Sequence, residues 1–429
     1  MSDLGPLGWT LNALGNVVDV RPSNVDKKTN PEDISIRLCN YTNVYYNNSI
    51  RNGMRFMSST AKLREIERFS LEKDDVIITK DSETPDDIAV PAYVAENMEN
   101  VVCGYHLALL RPIKSILNGH FLSFLLQLPK VRHHFFLSAS GVTRYGLTID
   151  AIKNAEIRLP PLPEQQKIAT ILSSVDDVIE KTRTQIDKLK DLKTGMMQEL
   201  LTKGIGHTEF KDSPAGRIPV SWSECTLQDI AVVQTGVAKN GKMTGDLIEV
   251  PYLRVANVQD GYLDLTEIKM ISIEASRLDR FLLRDEDVLV NEGGDFDKLG
   301  RGFIWRNQVS PCVHQNHVFV VRTDKAKLLP LFFNYLSGSE YGKKYYLGCA
   351  KQTTNLASLN STQLKAFPIL LPSLQEQKEI CDVLQSFDEK LQKVVTKLDS
   401  LLILKKALMQ DLLTGKVRVK VDNPEVAAA

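Results

Sequence analysis

This 429-residue chain contains the same sequence twice, at an offset of 212 residues. Leu159–Thr202 aligns without a gap onto Leu371–Thr414, and 20 of the 44 aligned positions are identical. Identity at this level over a fixed offset is the signature of an internal duplication. The chain is therefore expected to fold as two similar units in tandem.

Weaker similarity continues upstream of both segments. The matching pairs are Pro6–Trp9 with Pro219–Trp222, Leu71–Ile78 with Leu283–Val290, and His106–Arg111 with His317–Arg322. Each unit thus has a variable part followed by a repeated end. The predicted divisions are a variable domain at 1–158, a repeated helix or spacer at 159–212, a second variable domain at 213–370 and a second repeated helix or spacer at 371–429.

The variable parts are predicted to be strand-rich domains of the α/β (α+β) class. Short apolar runs rich in β-branched residues, such as Asp75–Thr79 and Val318–Val321, are separated by glycine-containing turns. Asn118–Leu126 and Pro330–Tyr346 are instead predicted to be helical. Each variable part should combine a sheet with a few short helices.

Both repeated ends carry the pattern of a long helix. Each opens with Leu-Pro-x-Leu-x-Glu-Gln, in which prolines precede the first turn. Apolar residues then recur in steps of four and three, which predicts a coiled-coil seam on a helix roughly 60 Å long. The seam residues singled out are Leu172, Ile179, Ile186, Leu189, Lys193, Leu384, Leu391, Leu398, Leu401 and Lys405.

The two seams are expected to cover each other. Equivalent helices related by a two-fold axis across their length run antiparallel, so the chain is predicted to be an internal pseudo-dimer with a variable domain at each end of the helix pair. Lys193 and Lys405 interrupt the seam at the same place. A lysine there either fixes the register or extends its ammonium group to solvent, and we favour the second interpretation.

Positive charge is concentrated in corresponding parts of the two variable domains, although Lys+Arg and Asp+Glu both number 53. Residues 101–158 and 313–370 each hold seven basic and two acidic residues. Such patches neutralise DNA phosphates, and the alternative is a solvated face balanced by nearby acidic residues. Arg, Asn and Gln side chains in loops can bind base edges, and the alternative for them is ordinary loop and turn chemistry. The DNA-binding candidates are Asn40, Asn43, Lys80, Ser82, Arg111, Lys114, Arg132, Arg144, Tyr145, Arg254, Asn257, Asn291, Gln315, Asn316, Lys343, Lys344, Lys351, Gln352 and Thr354.

The sequence lacks the motifs of catalytic classes that act on DNA. It has no Gly-x-x-x-x-Gly-Lys phosphate loop, no Gly-x-Gly loop between a strand and a helix, and no Asp/Asn-Pro-Pro-aromatic loop of adenine methyltransferases. Glu267–Lys269 is only a loose match to a nuclease site. His106 and His317 each precede an apolar strand, where a structural role is favoured and DNA contact is the alternative. We therefore predict a non-catalytic chain with no metal or cofactor of its own.

Cysteine usage and the N-terminus indicate a reducing compartment. The six cysteines are scattered without a Cys-x-x-Cys pair, and the first residues do not form a signal peptide. No run of about 18 apolar residues predicts a membrane span. A cytoplasmic location is expected.

The whole pattern resembles the specificity subunit of type I restriction–modification enzymes. The two copies of Leu-Pro-x-Leu-x-Glu-Gln with a heptad helix carry the resemblance, and the segments around Trp9 and Trp222 fit it. The resemblance implies two target recognition domains that each read one half of a split DNA site, joined by two antiparallel spacer helices. It also implies double-stranded DNA, two adenine-N6 methyltransferase subunits and restriction–translocase subunits as partners, with S-adenosylmethionine, ATP and magnesium bound by those partners.

The two recognition domains are expected to read different half-sites. Leu38–Val44 of the first differs from Leu253–Val258 of the second. The alternative function is a stand-alone coiled-coil interaction or structural DNA-binding protein without methyltransferase partners. The recurrence of basic patches in both units argues against a protein that binds only other helices.

Overall fold

The computed structural model describes residues 6–213, 216–238, 245–294, 299–352 and 357–421. The chain divides into two compact units. The first consists of residues 1–183 together with 397–429, and the second consists of residues 184–396. Each unit therefore contains sections of both repeated ends.

The first unit is strand-rich and also contains short helices, as predicted. Its strands are β1 (Thr10–Ala13), β2 (Val18–Pro22), β3 (Ile34–Cys39), β4 (Ser49–Ile50), β5 (Met57–Ala61), β6 (Val76–Thr79), β7 (Asp81–Ser82), β8 (Pro91–Val94), β9 (Val101–Cys103), β10 (Leu107–Pro112), β11 (Tyr145–Gly146) and β12 (Glu156–Leu159). Its helices are α1 (Tyr41–Tyr45), α2 (Leu63–Phe69), α3 (Gly119–Leu125), α4 (Pro129–Ser138), α5 (Ile149–Lys153) and the start of α6 (Leu162–Lys203).

Strand β6 lies in the middle of a five-stranded sheet with the order β2-β10-β6-β8-β4. Successive side chains of a strand face opposite sides of the sheet. Val76 and Ile78 belong to one apolar cluster, and Ile77 belongs to another. Both faces of the sheet are therefore covered, which explains why this strand is an unbroken apolar run in the sequence.

The second unit repeats this plan. Its strands are β13 (Phe210–Ser213), β14 (Gly216–Pro219), β15 (Ser223–Thr226), β16 (Ala231–Gln234), β17 (Leu247–Leu253), β18 (Lys269–Glu274), β19 (Val288–Asn291), β20 (Gly293–Gly294), β21 (Gly302–Ile304), β22 (Val313–His314), β23 (Val318–Thr323), β24 (Lys351–Gln352), β25 (Ala357–Ser358) and β26 (Pro368–Leu371). Its helices are α7 (Leu278–Phe281), α8 (Pro330–Gly338), α9 (Glu340–Cys349), α10 (Ser361–Lys365) and α11 (Leu374–Leu413), the last of which ends in the first unit.

Corresponding strands of the two units pair in the same way. The order β16-β23-β19-β21 matches β2-β10-β6-β8, and β17 pairs with β18 and β22 as β3 pairs with β5 and β9. The internal repeat is thus confirmed. Pro330–Tyr346 is helical, as predicted, but in two helices. Ser339 has extended backbone and its hydroxyl accepts a hydrogen bond from the Gly342 amide, so α8 ends and α9 begins there.

The heptad seam is confirmed along both long helices. Helix α6 has 42 residues and α11 has 40, so each spans roughly 60 Å at 1.5 Å per residue. The predicted apolar seam residues are buried or half-buried at Leu172, Ile179, Ile186, Leu189, Leu384, Leu391, Leu398 and Leu401. Burial on one stripe is what a partner helix produces.

Within each unit the helix sections run antiparallel, as predicted. In the first unit, Asp176 pairs with Lys405 at 2.6 Å and the earlier Glu164 pairs with the later Arg418 at 2.7 Å. In the second unit, Lys193 pairs with Asp388, and His207, which follows α6, contacts the earlier Glu376. In both units the partner number falls as the position along α6 rises.

The two seam lysines do not extend to solvent, contrary to the favoured interpretation. Lys405 binds Asp176 and lies 5.6 Å from the centre of the Phe124 ring. Lys193 binds Asp388 and lies 5.5 Å from the centre of the Tyr335 ring. A carboxylate from the other helix and an aromatic face hold each ammonium group, so each lysine fixes the register.

One buried glutamine attaches each long helix to its variable part. The Gln165 amide donates to the carbonyls of Ile116 and Pro160 at 2.9 and 2.8 Å and accepts from the Asn118 amide at 2.9 Å. Gln377 makes the same three kinds of hydrogen bond in the second unit. This explains the Gln of the Leu-Pro-x-Leu-x-Glu-Gln motif, because buried backbone groups left without a hydrogen-bond partner are costly.

All six cysteines are free thiols. Cys39 and Cys103 lie opposite each other on β3 and β9, and burial raises the pKa of Cys39 to about 12. No helix within the described ranges is long and apolar enough to cross a bilayer.

Replacing Lys405 with Met should lower the midpoint of thermal unfolding. The change leaves Asp176 half-buried without its cation, and losing one partner of such a pair costs about 1–3 kcal/mol. A second change, Asp176→Asn, should recover part of the loss. The matched control is Lys378→Met, whose exposed partner Asp382 lies on the same helix, and it should leave the midpoint unchanged. Equal losses from the two lysine variants would contradict a register role.

Candidate nucleic-acid interface

A cleft of about 520 Å³ opens on the first unit beside the pairing of β7 with β11. The pairing places Ser82 opposite Tyr145, and the Leu147 amide donates to the Lys80 carbonyl at 3.0 Å. It therefore brings Lys80 and Ser82 together with Arg144 and Tyr145, four residues predicted from separate parts of the sequence. Ser82 and Arg144 line the cleft directly.

Helix α1 supplies an aromatic wall to this cleft. The rings of Tyr41 and Tyr45 stack at 5.3 Å between centres, and Tyr46 is exposed beside them. The Tyr45 hydroxyl donates to Asp87 at 2.5 Å, and this hydrogen bond raises the pKa of Tyr45 to about 12. The cleft thus presents aromatic faces, carboxylates and a guanidinium group, which suit stacking and base-edge hydrogen bonds.

Asn40 and Asn43 hold the start of this wall. The Asn40 side chain accepts from the Thr42 and Asn43 amides, and the Asn43 side chain accepts from the Asn40 amide at 3.0 Å. Asn43 is also buried and donates to the Arg55 carbonyl at 3.1 Å. Both asparagines are therefore occupied in building helix α1.

Arg111 lies away from the cleft and is held by acids. It makes two bonds to Asp75, at 2.9 and 2.8 Å, and one to Glu72 at 2.7 Å. Arg322 pairs with Asp287 in the same way in the second unit. Burial raises the pKa of Asp75, and the Arg111 guanidinium opposes that shift. Part of the positive charge counted in the sequence is thus neutralised inside the fold.

Two further basic residues among the DNA-binding candidates of the first unit, Arg132 and Lys114, are more accessible than Arg111. Arg132 on α4 donates to the Asp86 carbonyl at 2.8 Å, next to the Asp87 that lines the cleft. Lys114 is exposed shortly after β10. Arg132 therefore borders the cleft.

Arg254 and Asn257 form the counterpart of the α1 start in the second unit. The buried Asn257 side chain accepts from the Arg254 amide and donates to the carbonyls of Asp264 and Glu267, each at 2.9 Å. The Arg254 guanidinium lies 3.8 Å from Glu267. Asn257 thus closes a loop, as Asn43 does in the first unit.

Asn291, Gln315 and Asn316 lie around the end of β19. Asn291 is buried and donates to the Val258 carbonyl at 2.8 Å. The Gln315 side chain accepts a long hydrogen bond of 3.4 Å from the Val255 amide, and that of Asn316 lies 3.3 Å from His317. Gln315 and Asn316 are half-buried, so they are more available than Asn291.

Lys343 and Lys344 are exposed on α9. Lys343 pairs with Asp260 at 2.8 Å, and both lysines line a groove beside the end of α6. The side chains of Lys351 and Gln352, and all of Thr354, lie outside the described residues.

A carboxylate-bound histidine occurs at corresponding places in the two units. His106 pairs with Asp81 at 2.6 Å, and His317 pairs with Glu292 at 2.5 Å. Both His106 and Asp81 line the first-unit cleft. The sequence showed the recurrence of the histidines, but it did not show their partners.

The described residues contain no group of three His, Cys, Asp or Glu side chains placed to hold a metal ion.

A family model of the type I restriction modification DNA specificity domain matches the chain twice, at residues 6–191 and 219–401. The chain belongs to this family.

Other members of the specificity family align with much of the chain. It is 25% identical over 425 residues to a protein assigned as the specificity subunit of the type I restriction enzyme MjaX of Methanocaldococcus jannaschii, covering 97% of this chain and 95% of that one. It is 31% identical over 283 residues to the MjaVIII specificity subunit of the same organism, covering 62% of this chain and 63% of that one.

Solved specificity subunits share the fold. The type I restriction–modification S subunit from M. genitalium matches 96% of this chain and 98% of its own length with a TM-score of 0.55 and 16% identity. A chain from a structural study of type I system assembly and conformational transition matches 96% and 100% with a TM-score of 0.57 and 18% identity. The predicted fold class is confirmed.

Arg111→Met should lower stability more at pH 8 than at pH 5. Without its cation, Asp75 is most stable in the folded chain when protonated, since burial already raises its pKa. A carboxyl with a raised folded-state pKa loses stability as the pH rises through that pKa. We expect the free energy of unfolding to fall by about 2–4 kcal/mol at pH 8. Thermal unfolding of the wild type and the variant at pH 5 and pH 8 measures the difference. Adding Asp75→Asn should abolish the pH dependence, and a loss equal at both pH values would contradict this account.

Proposed function

We propose that this chain is the sequence-specific DNA-recognition subunit of a type I restriction–modification complex. The observation that carries the proposal is the paired family match, with one specificity domain over each half of the chain. Specificity subunits of this kind are non-catalytic and act in complexes with methyltransferase and restriction subunits. No observation favours the alternative of a stand-alone coiled-coil protein.

Each variable domain is proposed to read one half of a bipartite DNA site. In the first domain, Lys80, Ser82, Arg144 and Tyr145 at the cleft are the base- and phosphate-contacting residues best supported by their positions. Arg111, Asn43, Asn257 and Asn291 are proposed to support the recognition surface from within, since their side chains already have buried partners. Only contacts to base edges carry sequence information.

The half-sites are proposed to differ. The Lys80 amide donates a hydrogen bond to the His106 carbonyl, and in the second unit the Glu292 amide donates the corresponding hydrogen bond to the His317 carbonyl. A cation therefore stands in one unit where a carboxylate stands in the other. Glu292 binds His317 and Lys80 binds Asp81, so these side chains shape the two proposed recognition surfaces differently, and different surfaces favour different half-sites.

Two adenine-N6 methyltransferase subunits are proposed to dock on the long helices, and restriction–translocase subunits to join them. Apolar side chains at Val178, Leu192, Leu402 and Ile403 are exposed on α6 and α11. Exposed apolar groups on a helix are typical of protein contact surfaces. S-adenosylmethionine, ATP and magnesium are proposed to bind those partners.

Modified-base sequencing of the host genome with and without this gene tests the proposed function. We expect N6-methyladenine to be lost at a single bipartite motif, two short half-sites around a fixed gap, when the gene is deleted. A deletion restored by the intact gene is the control. An unchanged adenine methylation pattern in a host that expresses the methyltransferase subunit would reject the proposal.

The paired helices are proposed to set the gap between the half-sites. Inserting one heptad after Arg183 and another after Thr396 leaves the Lys405–Asp176 and Lys193–Asp388 pairs inside their own units. Seven residues add about 10 Å of helix, so the methylated motif should gain about three base pairs of gap at roughly 3.4 Å per base pair. An insertion in α6 alone should abolish methylation. An unchanged gap in the double insertion would contradict the proposal.

A further inference from the structure

The histidine–carboxylate pairs are not needed to hold the strands together. The Lys80 amide already donates to the His106 carbonyl at 2.8 Å, and the Glu292 amide donates to the His317 carbonyl at 2.9 Å. These backbone bonds fasten the strand ends in both units. The side-chain pairs are therefore an addition to a junction that the backbone has already closed.

The two units build the pair from different chain positions. The backbone bonds make Lys80 the equivalent of Glu292, yet the carboxylate of the first unit comes from Asp81, one residue later. The imidazole keeps its place while its carboxylate changes in both type and position. The two units therefore share an imidazole bound to a carboxylate beside corresponding strand ends, although the carboxylate differs in residue type and chain position.

Both imidazoles are accessible from outside. The His106 side chain is 24% exposed and that of His317 is 53% exposed. His106 opens on the cleft that Ser82 and Arg144 line. It also adopts a positive φ of 71°, a conformation that costs energy for a residue with a side chain and that is often found at functional sites.

The carboxylates fix which edge of each ring is presented. Nδ1 faces the carboxylate in both pairs, so Nε2 is the outward atom. Within the described part of the chain, nothing hydrogen-bonds to Nε2 of His106, and Nε2 of His317 has only the Asn316 amide at 3.3 Å.

We propose that His106 and His317 are specificity-determining residues, each forming a hydrogen bond through Nε2 to the edge of one base in the major groove of its own half-site. Asp81 and Glu292 are positioning residues that hold the rings. This inference rests on the proposed function and deepens it by naming one base contact in each half. It also replaces the structural role favoured from the sequence.

The test uses the full complex with its methyltransferase subunits and DNA carrying the motif found by methylation sequencing. His106→Asn keeps the left-handed backbone accessible and removes the ring. We expect about 10- to 100-fold weaker binding and a relaxed preference at one base pair of one half-site. His317→Gln should relax one base pair of the other half-site only.

Base analogues that each lack one major-groove group, 7-deazapurines for N7 and purine for the adenine amino group, identify the contact when they are placed at each position in turn. The wild-type complex should lose affinity at one base of each half-site, and the matching histidine variant should lose nothing further there. Asp81→Asn should weaken the same contact without changing the others. The exposed His133 on α4 provides the control variant His133→Gln, which should bind like the wild type.

Three outcomes would overturn the proposal. Equal weakening on every DNA sequence would indicate a phosphate contact, and unchanged base preference in both variants would indicate a structural role. A fall in the unfolding midpoint of His106→Asn with normal specificity in His317→Gln would also reject it. If the wild-type gene directs methylation at a bipartite motif, the proposed function stands even when the histidine variants contradict this inference. If no motif is methylated, the proposed function itself is rejected.

Discussion

The fold depends on covering two apolar seams that no short variable domain could bury alone. Helices α6 and α11 each extend over roughly 60 Å. A helix in a protein gains most of its stability from packing its apolar face, since an isolated helix is only marginally stable in water. The apolar seam makes the helices pack together but does not fix their register. The register is fixed by two ion pairs, Lys193–Asp388 and Lys405–Asp176, because a slip of one turn would leave half-buried charges unpaired.

The attachment of the helices to the variable parts is as specific as their pairing. Gln165 and Gln377 repeat the same three bonds. The preceding glutamates differ, since Glu164 binds Arg418 whereas Glu376 binds His207 and the Trp222 indole. The segment after α11 thus serves the first unit as the segment after α6 serves the second. A duplicated chain can vary these closing contacts while keeping the helix start unchanged.

Burial separates the residues that stabilise the fold from those of the proposed recognition surface. Asp75 with Arg111 and Asp287 with Arg322 are equivalent, two-bonded and buried on the acid side. Substitutions there cost folding free energy, so these positions resist change. Arg144 is exposed at the cleft, so it can change at little cost to stability. Lys80 is tied more closely to the fold, because it pairs with Asp81 at 3.2 Å and lies 6.0 Å from the centre of the Tyr105 ring.

The sequence by itself determined the duplication, the heptad seam, the start of both long helices and the central strands, because each of these is a local pattern of apolar spacing. Only the tertiary structure decided which polar residues are available. Nothing in the sequence ranks Arg111 and Asn257 below Lys80 and Arg144 as DNA-binding candidates. The structure separates them, because Arg111 is bound to the buried Asp75 and Asn257 is buried within a loop. The β7–β11 pairing and the histidine–carboxylate pairs join positions far apart in the chain. Such contacts arise from the folded path of the backbone, and no spacing rule within one segment contains them.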